Sequence, residues 1–437
     1  MVKVPLMILK IYLLFANYNL PIWRIVLKLR IKKGKEDPTR YQEKLGLITE
    51  IRPDGILLWF HALSVGESLA LMSMLRRLGV MMPNAHFVLT TSTLTSVEAL
   101  NKIGLPPRVI HQFLPADSRL PIQSFLNHWK PSLVAITELD LWPYMLTQVK
   151  KRKIPLILIN GRVTDRTYKK HFKNNGFIAS VLKLFDLYLV QDGVSLKRIV
   201  ELGAPAEFVK NIGTLKIGAD PLPDFPEARL AFKDAVGARP IWVAASTHLS
   251  EEIHIYNAHQ LARKIVPNLL LIIVPRNIKE LRLTEENAEV HFSNILKRSS
   301  GMLPDFQTEV FIADTFGEMG LWFRIAEITL IGHSMQVSQK VLTGKNPFEA
   351  LVLGQMVLHG PNFKNFDAVY KLLLDRKATR TVWSSTDLAQ DIIDAISNHE
   401  FKNPYLLASR HLIEEGQASI KNTAEILRMK VYDCIKR

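Results

Sequence analysis

Several short runs of this 437-residue sequence place acids and bases where chains of this kind do chemistry. The first is His61-Ala62-Leu63-Ser64-Val65-Gly66-Glu67, directly after the apolar run Ile56 to Phe60. A carboxylate at the carboxyl end of a strand, where a helix opens, can face a cleft and take a proton from a substrate hydroxyl. Gly66 allows a ligand close to the backbone. The Ser64/Glu67 spacing equally fits a capping box, in which both side chains satisfy helix-end amides, and spacing by itself points that way. His61 alone reads as a satisfied histidine near the core. The second run is Glu138-Leu139-Asp140-Leu141-Trp142-Pro143, after the apolar Leu133 to Ile136. Its two acids either face the same cleft or form the acidic start of a helix, with Pro143 in the first turn.

Three further runs suit anions. Asn160-Gly161-Arg162 leads into Arg166, Lys169, Lys170 and His171, and Arg beside glycine at a cleft matches phosphate. The lysines fit a solvated basic helix as well. Ala244-Ala245-Ser246-Thr247-His248 enters a helix through small hydroxylic residues and could hold an anion on helix amides, with Pro275-Arg276 following. Gly344-Lys345-Asn346-Pro347-Phe348-Glu349 reads either as a helix start, with Asn346 as N-cap and Pro347 as first helical residue, or as a seat for a phosphate with Glu349 on a ribose. No GxxxxGK[ST], GxGxxG or HExxH motif occurs, which disfavours Walker ATPases, standard dinucleotide enzymes and zincins. The single cysteine, Cys434, excludes an intramolecular disulfide and a cysteine-based zinc site. No metal and no cofactor are expected.

The elements that must position these residues follow one grammar. From Ile56 onward, short apolar strands alternate with helical stretches: Glu67 to Leu78, Ser96 to Ile103, Trp142 to Lys151, Val194 to Leu202. Continuous apolar strands alternating with helices predict a parallel sheet covered on both faces. Asp220-Pro221-Leu222-Pro223-Asp224-Phe225-Pro226 continues neither element and reads as a linker. The grammar then restarts at Ile241. Two doubly wound α/β domains are therefore expected, 36–218 and 219–437, with ligands at the carboxyl ends of their strands facing one cleft. Length agrees, since roughly 150 residues per domain suggests two or three. With 48% hydrophobic and 22% charged residues the composition is globular. A net charge of +15 calls for an anionic partner.

Residues 1–35 stand apart. The apolar stretch Val4 to Leu20 is broken by Lys10, Asn17 and Asn19, and is followed by Arg24, Lys28, Arg30, Lys32, Lys33 and Lys35. Most charge follows the apolar part and no small-x-small site comes after it, unlike a cleaved signal peptide. The segment is expected to be a membrane anchor, spanning or interfacial, with the basic cluster on anionic lipid. The alternative is a basic amphipathic helix packed on the domain surface.

Taken in order, Trp59 to Glu67, Glu138 to Pro143, Asn160 to Thr167, Gly213 to Lys216, Ala244 to His248, Val274 to Arg276, Asp314 to Leu321, and Asn346 to Glu349 with Gly360-Pro361 resemble the 3-deoxy-D-manno-oct-2-ulosonic acid (Kdo) transferases of lipopolysaccharide synthesis. The resemblance implies a GT-B fold of two Rossmann-like domains, the second binding the donor. It implies inverting transfer of Kdo from CMP-Kdo to the lipid A precursor, lipid IVA, at the cytoplasmic face of the inner membrane. It makes Glu67 the general base, puts Glu138, Asp140 and Arg162 on the acceptor side, and gives CMP to Ser246, Arg276, Gly344, Asn346 and Glu349. The sequence departs from the family pattern at Asp140 (usually Glu), Tyr144 (Asn), Asn277 (His), Lys345 (His) and His333 (Gly). Two other readings share part of this pattern. A GT-B enzyme using a UDP-sugar and a lipid acceptor would share the architecture without the Ser64–Glu67 and Glu138–Trp142 runs. A non-enzymatic basic protein of the membrane surface or of nucleic acid would show dispersed basic stripes with stacking aromatics, whereas the basic residues here lie at the anchor and around the expected cleft, so no nucleic-acid partner is expected.

Overall fold

The computed structural model describes residues 3–172, 175–217, 221–277, 280–335 and 342–435. Asp220 of the expected linker lies outside them. The chain divides into two units, 1–218 with 415–437, and 219–414.

The first unit is built on β1 (Ile56–Ala62), β2 (Ala85–Thr91), β3 (Val109–Phe113), β4 (Leu133–Thr137), β5 (Leu156–Gly161), β6 (Leu187–Val190) and β7 (Val209–Asn211). They form one parallel sheet in the order β3-β2-β1-β4-β5-β6-β7. Leu57 and Trp59 of β1 enter one core, with Phe125, Trp129 and Met145. Leu58 and Phe60 enter the other, with Leu71, Leu75 and Leu78 of the helix Val65–Met81. Burial on both faces is why these strands read as unbroken apolar runs rather than alternating ones.

The second unit repeats the plan with β8 (Ile241–Thr247), β9 (Leu270–Pro275), β10 (Ile295–Lys297), β11 (Val310–Ile312), β12 (Ile328–Ile331), β13 (Met356–His359) and β14 (Thr379–Thr381). Its parallel order is β10-β11-β9-β8-β12-β13-β14. In both sheets the strand order reverses beside the first strand, between β1 and β4 and between β8 and β12. Such reversal points open a crevice at the strands' carboxyl ends, where ligands of doubly wound sheets bind.

The long helix His399–Ile435 leaves the second unit and ends in the first. Ile420, Ala424, Leu427 and Val431 recur at helical spacing and are buried against Leu58, Phe60 and Leu75. The stripe therefore completes the first unit's core, so the second unit stops at 414 instead of running to 437.

The amino-terminal segment forms two helices, Lys3–Ala16 and Leu20–Lys32, broken at Asn17–Asn19. Among the described residues no helix is long and apolar enough to cross a membrane. One face is anchored to the first unit. Leu9 and Ala16 are buried in the core with Trp129 and Tyr144. The Tyr12 hydroxyl donates to Asp117 Oδ2 at 2.7 Å, and Asn19 Nδ2 donates to the Asp117 carbonyl at 3.3 Å. The opposite face leaves Met7, Ile8, Ile11, Leu14, Phe15, Tyr18, Ile22, Ile25 and Leu29 exposed. Exposed apolar groups gathered on adjoining helices differ from the scattered ones of an ordinary surface.

Candidate active site

At the first reversal point, β1 delivers Glu67 and β4 delivers Glu138 and Asp140. Ser64 is the N-cap of Val65–Met81, and its hydroxyl accepts the Glu67 N–H at 3.4 Å. The Glu67 carboxylate closes the turn. Oε2 accepts from Leu63 N at 2.9 Å and from Thr137 Oγ1 at 2.8 Å, and Oε1 accepts from Ser64 Oγ at 2.8 Å. The Ser64 half of the capping box read from the spacing is therefore present, but the Glu67 carboxylate closes on Leu63 N, one residue before the N-cap, and on Thr137 of β4, whose hydroxyl also lies 3.0 Å from the His61 carbonyl. Burial raises the Glu67 carboxyl above its ordinary range, the Glu138 charge pushes the same way, and the hydrogen bonds from Ser64, Thr137 and Leu63 oppose. A buried carboxyl raised above its ordinary range beside a second acid is the kind of perturbed group found where protons are transferred.

Glu138 stands at φ 52°, in the left-handed region, where β4 turns out of the sheet. The reversal sends Asp140 back toward β1. Its Oδ2 lies 2.8 Å from His61 Nε2 and accepts from Trp142 Nε1 at 2.9 Å. Pro143 is the first residue of the helix Pro143–Lys151, as expected. That helix start is capped from a distance: Asp117 accepts from Tyr144 N at 3.0 Å and Met145 N at 2.7 Å. Because Asp117 also binds Tyr12, one buried carboxylate joins the amino-terminal helix to the helix that follows the loop carrying Asp140. The ring of Trp23 lies 6.4 Å from that of Trp142.

Arg162 follows β5, half-buried, with no hydrogen-bond or ion-pair partner among the described residues. Asn160, buried at φ 51°, ties the end of β5 to the segment after β7: its Oδ1 accepts from Leu215 N at 3.0 Å. The Gly213–Lys216 run thus has a structural partner in the Asn160–Gly161 turn.

The second unit gathers the other expected residues around its own reversal point. Ser246 is a bulge in β8, at φ 58°, where the ladder to β9 skips a residue. His248 caps the helix Leu249–Arg263 in a capping box with Glu251. The buried Glu251 carboxylate reaches across to the loop after β12, accepting the N–H groups of His333, Ser334 (3.0 Å) and Met335 (3.0 Å). His333 stands at φ 57°. A non-glycine residue there costs about 1–2 kcal/mol, and the bonds to Glu251 offset that strain.

Gly344 is at φ 75°, and a Cβ on it would meet the Phe363 backbone at 2.8 Å, so only glycine fits this turn. Asn346 Oδ1 accepts from Phe348 N at 3.2 Å and Asn346 Nδ2 donates to Glu349 Oε1 at 3.5 Å. The N-cap of the short helix Phe348–Leu351 is Pro347, one residue later than the sequence reading places it. Thr247 holds the Arg276 backbone, its carbonyl accepting from Arg276 N at 2.9 Å. Arg276 is close enough to act on both Lys345 and Glu349. Burial lowers the Lys345 ammonium and the Arg276 charge lowers it further, while Glu251 opposes. Burial raises the Glu349 carboxyl against the pull of Asn346 and Arg276. Two cations held together, one of them half-buried, make a seat for an anion.

Thus Glu67, Glu138 and Asp140 come together in the first unit, and Arg276, Gly344, Asn346 and Glu349 in the second, with Ser246 at the end of β8. Sequence reasoning missed the roles of His61, Thr137, Asp117 and Glu251. The one available signal was a polar residue at the end of an apolar strand, as at His61 and Thr137.

Residues 39–219 match the family model for 3-deoxy-D-manno-octulosonic-acid transferase (kdotransferase). The 3-deoxy-D-manno-octulosonic acid transferase of Rickettsia bellii is 28% identical over 422 residues, 96% of this chain and 99% of that protein. The enzyme of the same name from Haemophilus influenzae is 29% identical over 381 residues, 86% of this chain and 87% of that protein. In fold, the chain is similar to the UDP-GlcNAc 2-epimerase of Neisseria meningitidis bound to UDP-GlcNAc, with TM-score 0.52 and 13% identity over 86% of this chain and 99% of that one.

Proposed function

We propose that this chain, which belongs to the 3-deoxy-D-manno-octulosonic acid transferase family and is a glycosyltransferase, moves Kdo from CMP-Kdo to a lipid A precursor, lipid IVA, and releases CMP. The observation that carries the reading is the Glu67 carboxyl: buried, raised, and fixed at the reversal point of a doubly wound sheet beside Glu138 and Asp140. In this account the architecture is that of a GT-B enzyme. Glu67 takes the proton of the acceptor hydroxyl. The hydroxyl oxygen forms its bond to the anomeric carbon of Kdo from the face opposite the phosphate. The bond from that carbon to the phosphate oxygen breaks, and CMP leaves with the electron pair, so the configuration inverts. Glu138, Asp140 and Arg162 support the acceptor side. Arg276, Ser246, Asn346 and Glu349 hold CMP, and Gly344 shapes the turn that presents Asn346. The Arg276–Lys345 pair supplies positive charge where the departing phosphate gains negative charge.

The pH dependence follows with a definite sign. Glu67 must be ionised to act as a base, and its folded-state pKa lies above the ordinary glutamate value. Activity is therefore lost on acidification through a pKa higher than that of a free glutamate. Glu138→Gln removes a negative charge that raises Glu67, so the acid limb of kcat/KM should move to lower pH. A limb that stays in place or moves up would count against the Glu138–Glu67 coupling.

The exposed apolar face of Lys3–Ala16 and Leu20–Lys32, with Arg24, Lys28 and Lys32 along it, is read as lying on the cytoplasmic face of the inner membrane against anionic lipid. The acceptor's acyl chains favour this arrangement, since drawing each CH₂ out of the bilayer costs about 0.8 kcal/mol. Phe15→Ser with Ile25→Ser changes only exposed side chains. It should cut co-sedimentation with anionic vesicles by about tenfold or more while leaving the melting temperature unchanged. Equal sedimentation of the variant and the parent would reject this surface as the contact.

Nucleotide choice tests the donor assignment. Calorimetry on the full chain should show CMP binding and much weaker UDP binding, and the reverse preference would overturn the CMP-sugar reading.

A further inference from the structure

His61 is fully buried in β1, paired in register with Thr90 of β2. An apolar residue would fill this place with no hydrogen bonds to satisfy, yet both ring nitrogens are engaged. Nδ1 lies 3.0 Å from Thr90 Oγ1 and 3.1 Å from the Thr90 carbonyl. Thr90 is itself fixed, since its hydroxyl accepts from Trp59 Nε1 at 2.9 Å. With Nδ1 held from the β2 side, the ring plane is set, and Nε2 points at one oxygen of one carboxylate, Asp140 Oδ2, at 2.8 Å. Trp142 Nε1 donates to that same oxygen. The other oxygen, Oδ1, has no hydrogen-bond partner among the described residues.

We propose that His61 is a positioning residue for sugar transfer: with Trp142 it occupies Asp140 Oδ2 and so presents Oδ1, in one fixed orientation, to the acceptor sugar. This rests on the reading of Asp140 as an acceptor-side group. Asp140 sits in a loop, between β4 and Pro143, where a carboxylate would otherwise sample several rotamers. Two donors converging on one oxygen select a single rotamer, and a chain of hydrogen bonds from Trp59 through Thr90 and His61 ties that choice to the buried sheet. Geometry held to a fraction of an ångström is worth large rate factors, because a displacement of about 1 Å can cost on the order of a hundredfold. The same β1–β4 contact serves Glu67, whose partner Thr137 also binds the His61 carbonyl, so the base and Asp140 are referenced to one backbone position.

The test is a double-mutant cycle on the full chain, reading kcat, the KM for CMP-Kdo and the melting temperature. His61→Leu should lower kcat on the order of a hundredfold with little change in donor KM, and His61→Gln, which restores a donor near the Nε2 position, should recover most of the loss. In an Asp140→Ala background, His61→Leu should cost nothing further, because the residue it acts through is gone. An equal loss in both backgrounds would mean a merely structural histidine and would overturn the proposal, as would a fully active Asp140→Ala enzyme. If His61→Leu does not fold, Trp142→Phe replaces it in the same cycle, with an expected loss of about tenfold that likewise vanishes beside Asp140→Ala; additivity there overturns the proposal too. Failure of the broader site reading is distinguishable, because it would show as normal transfer by Glu67→Gln, which this inference does not touch.

Discussion

Glu67→Gln is expected to reduce sugar transfer by on the order of a hundredfold or more, the loss usual when a general base is removed, while the protein melts at nearly the parent temperature. The structure explains why both halves of the result should hold. Leu63 N and Thr137 Oγ1 both donate to Oε2, so an amide oxygen placed there keeps both bonds. The amide nitrogen then faces Ser64 Oγ, whose oxygen can accept. The cap survives, and what disappears is the group able to take a proton. Near-normal turnover in a folded Glu67→Gln enzyme would leave Glu67 as a helix cap and nothing more.

The second large effect is expected at the donor side. Arg276→Ala should weaken CMP binding by about 1.5–3 kcal/mol, the range for a hydrogen bond to a charged group, or roughly tenfold to a hundredfold in Kd. Its backbone is anchored by Thr247 and its side chain is exposed, so truncation should leave the fold intact. The loss should also be visible at the neighbours. Without Arg276, Lys345 loses a repulsive charge and Glu349 loses an attractive one, so the Lys345 ammonium should hold its proton to higher pH and the Glu349 carboxyl should rise further. Calorimetric titration with CMP measures the affinity, and an unchanged Kd would remove Arg276 from the nucleotide site.

What could be read from the residues, and what could not, divides along physical lines. The strands in the middle of each sheet were legible because burial on both faces makes them apolar throughout, as in Leu57 to Phe60. The edge strands of the two sheets, β3, β7, β10 and β14, carry no such run. Edge strands are short and half-exposed, and Val109-Ile110-His111-Gln112-Phe113 and Val209-Lys210-Asn211 carry the mixed polarity that follows. Glu67 was legible twice over, as a cap and as a carboxylate at a strand end, because both properties are set by residues within four positions. His61 was not, because its partner Asp140 lies 79 positions away. Asp117 escaped for the same reason, its bonds running to Tyr12 and to Tyr144 and Met145. The stripe Ile420, Ala424, Leu427 and Val431 was not read from the sequence: its helical spacing is local, but nothing local says which core it fills. The left-handed turns at Glu138, Ser246 and His333 leave no mark in residue type at all, since none of them is glycine.

Sugar transfer is itself directly measurable. Incubating the purified full-length chain with CMP-Kdo and lipid IVA, and weighing the lipid by mass spectrometry, reads it directly. The acceptor should gain mass in whole Kdo increments, with CMP released in equal number, and Glu67→Gln under the same conditions should give almost none. An acceptor left at its starting mass by a folded, CMP-binding protein, or one extended only when a UDP-sugar replaces CMP-Kdo, would contradict Kdo transfer by this chain.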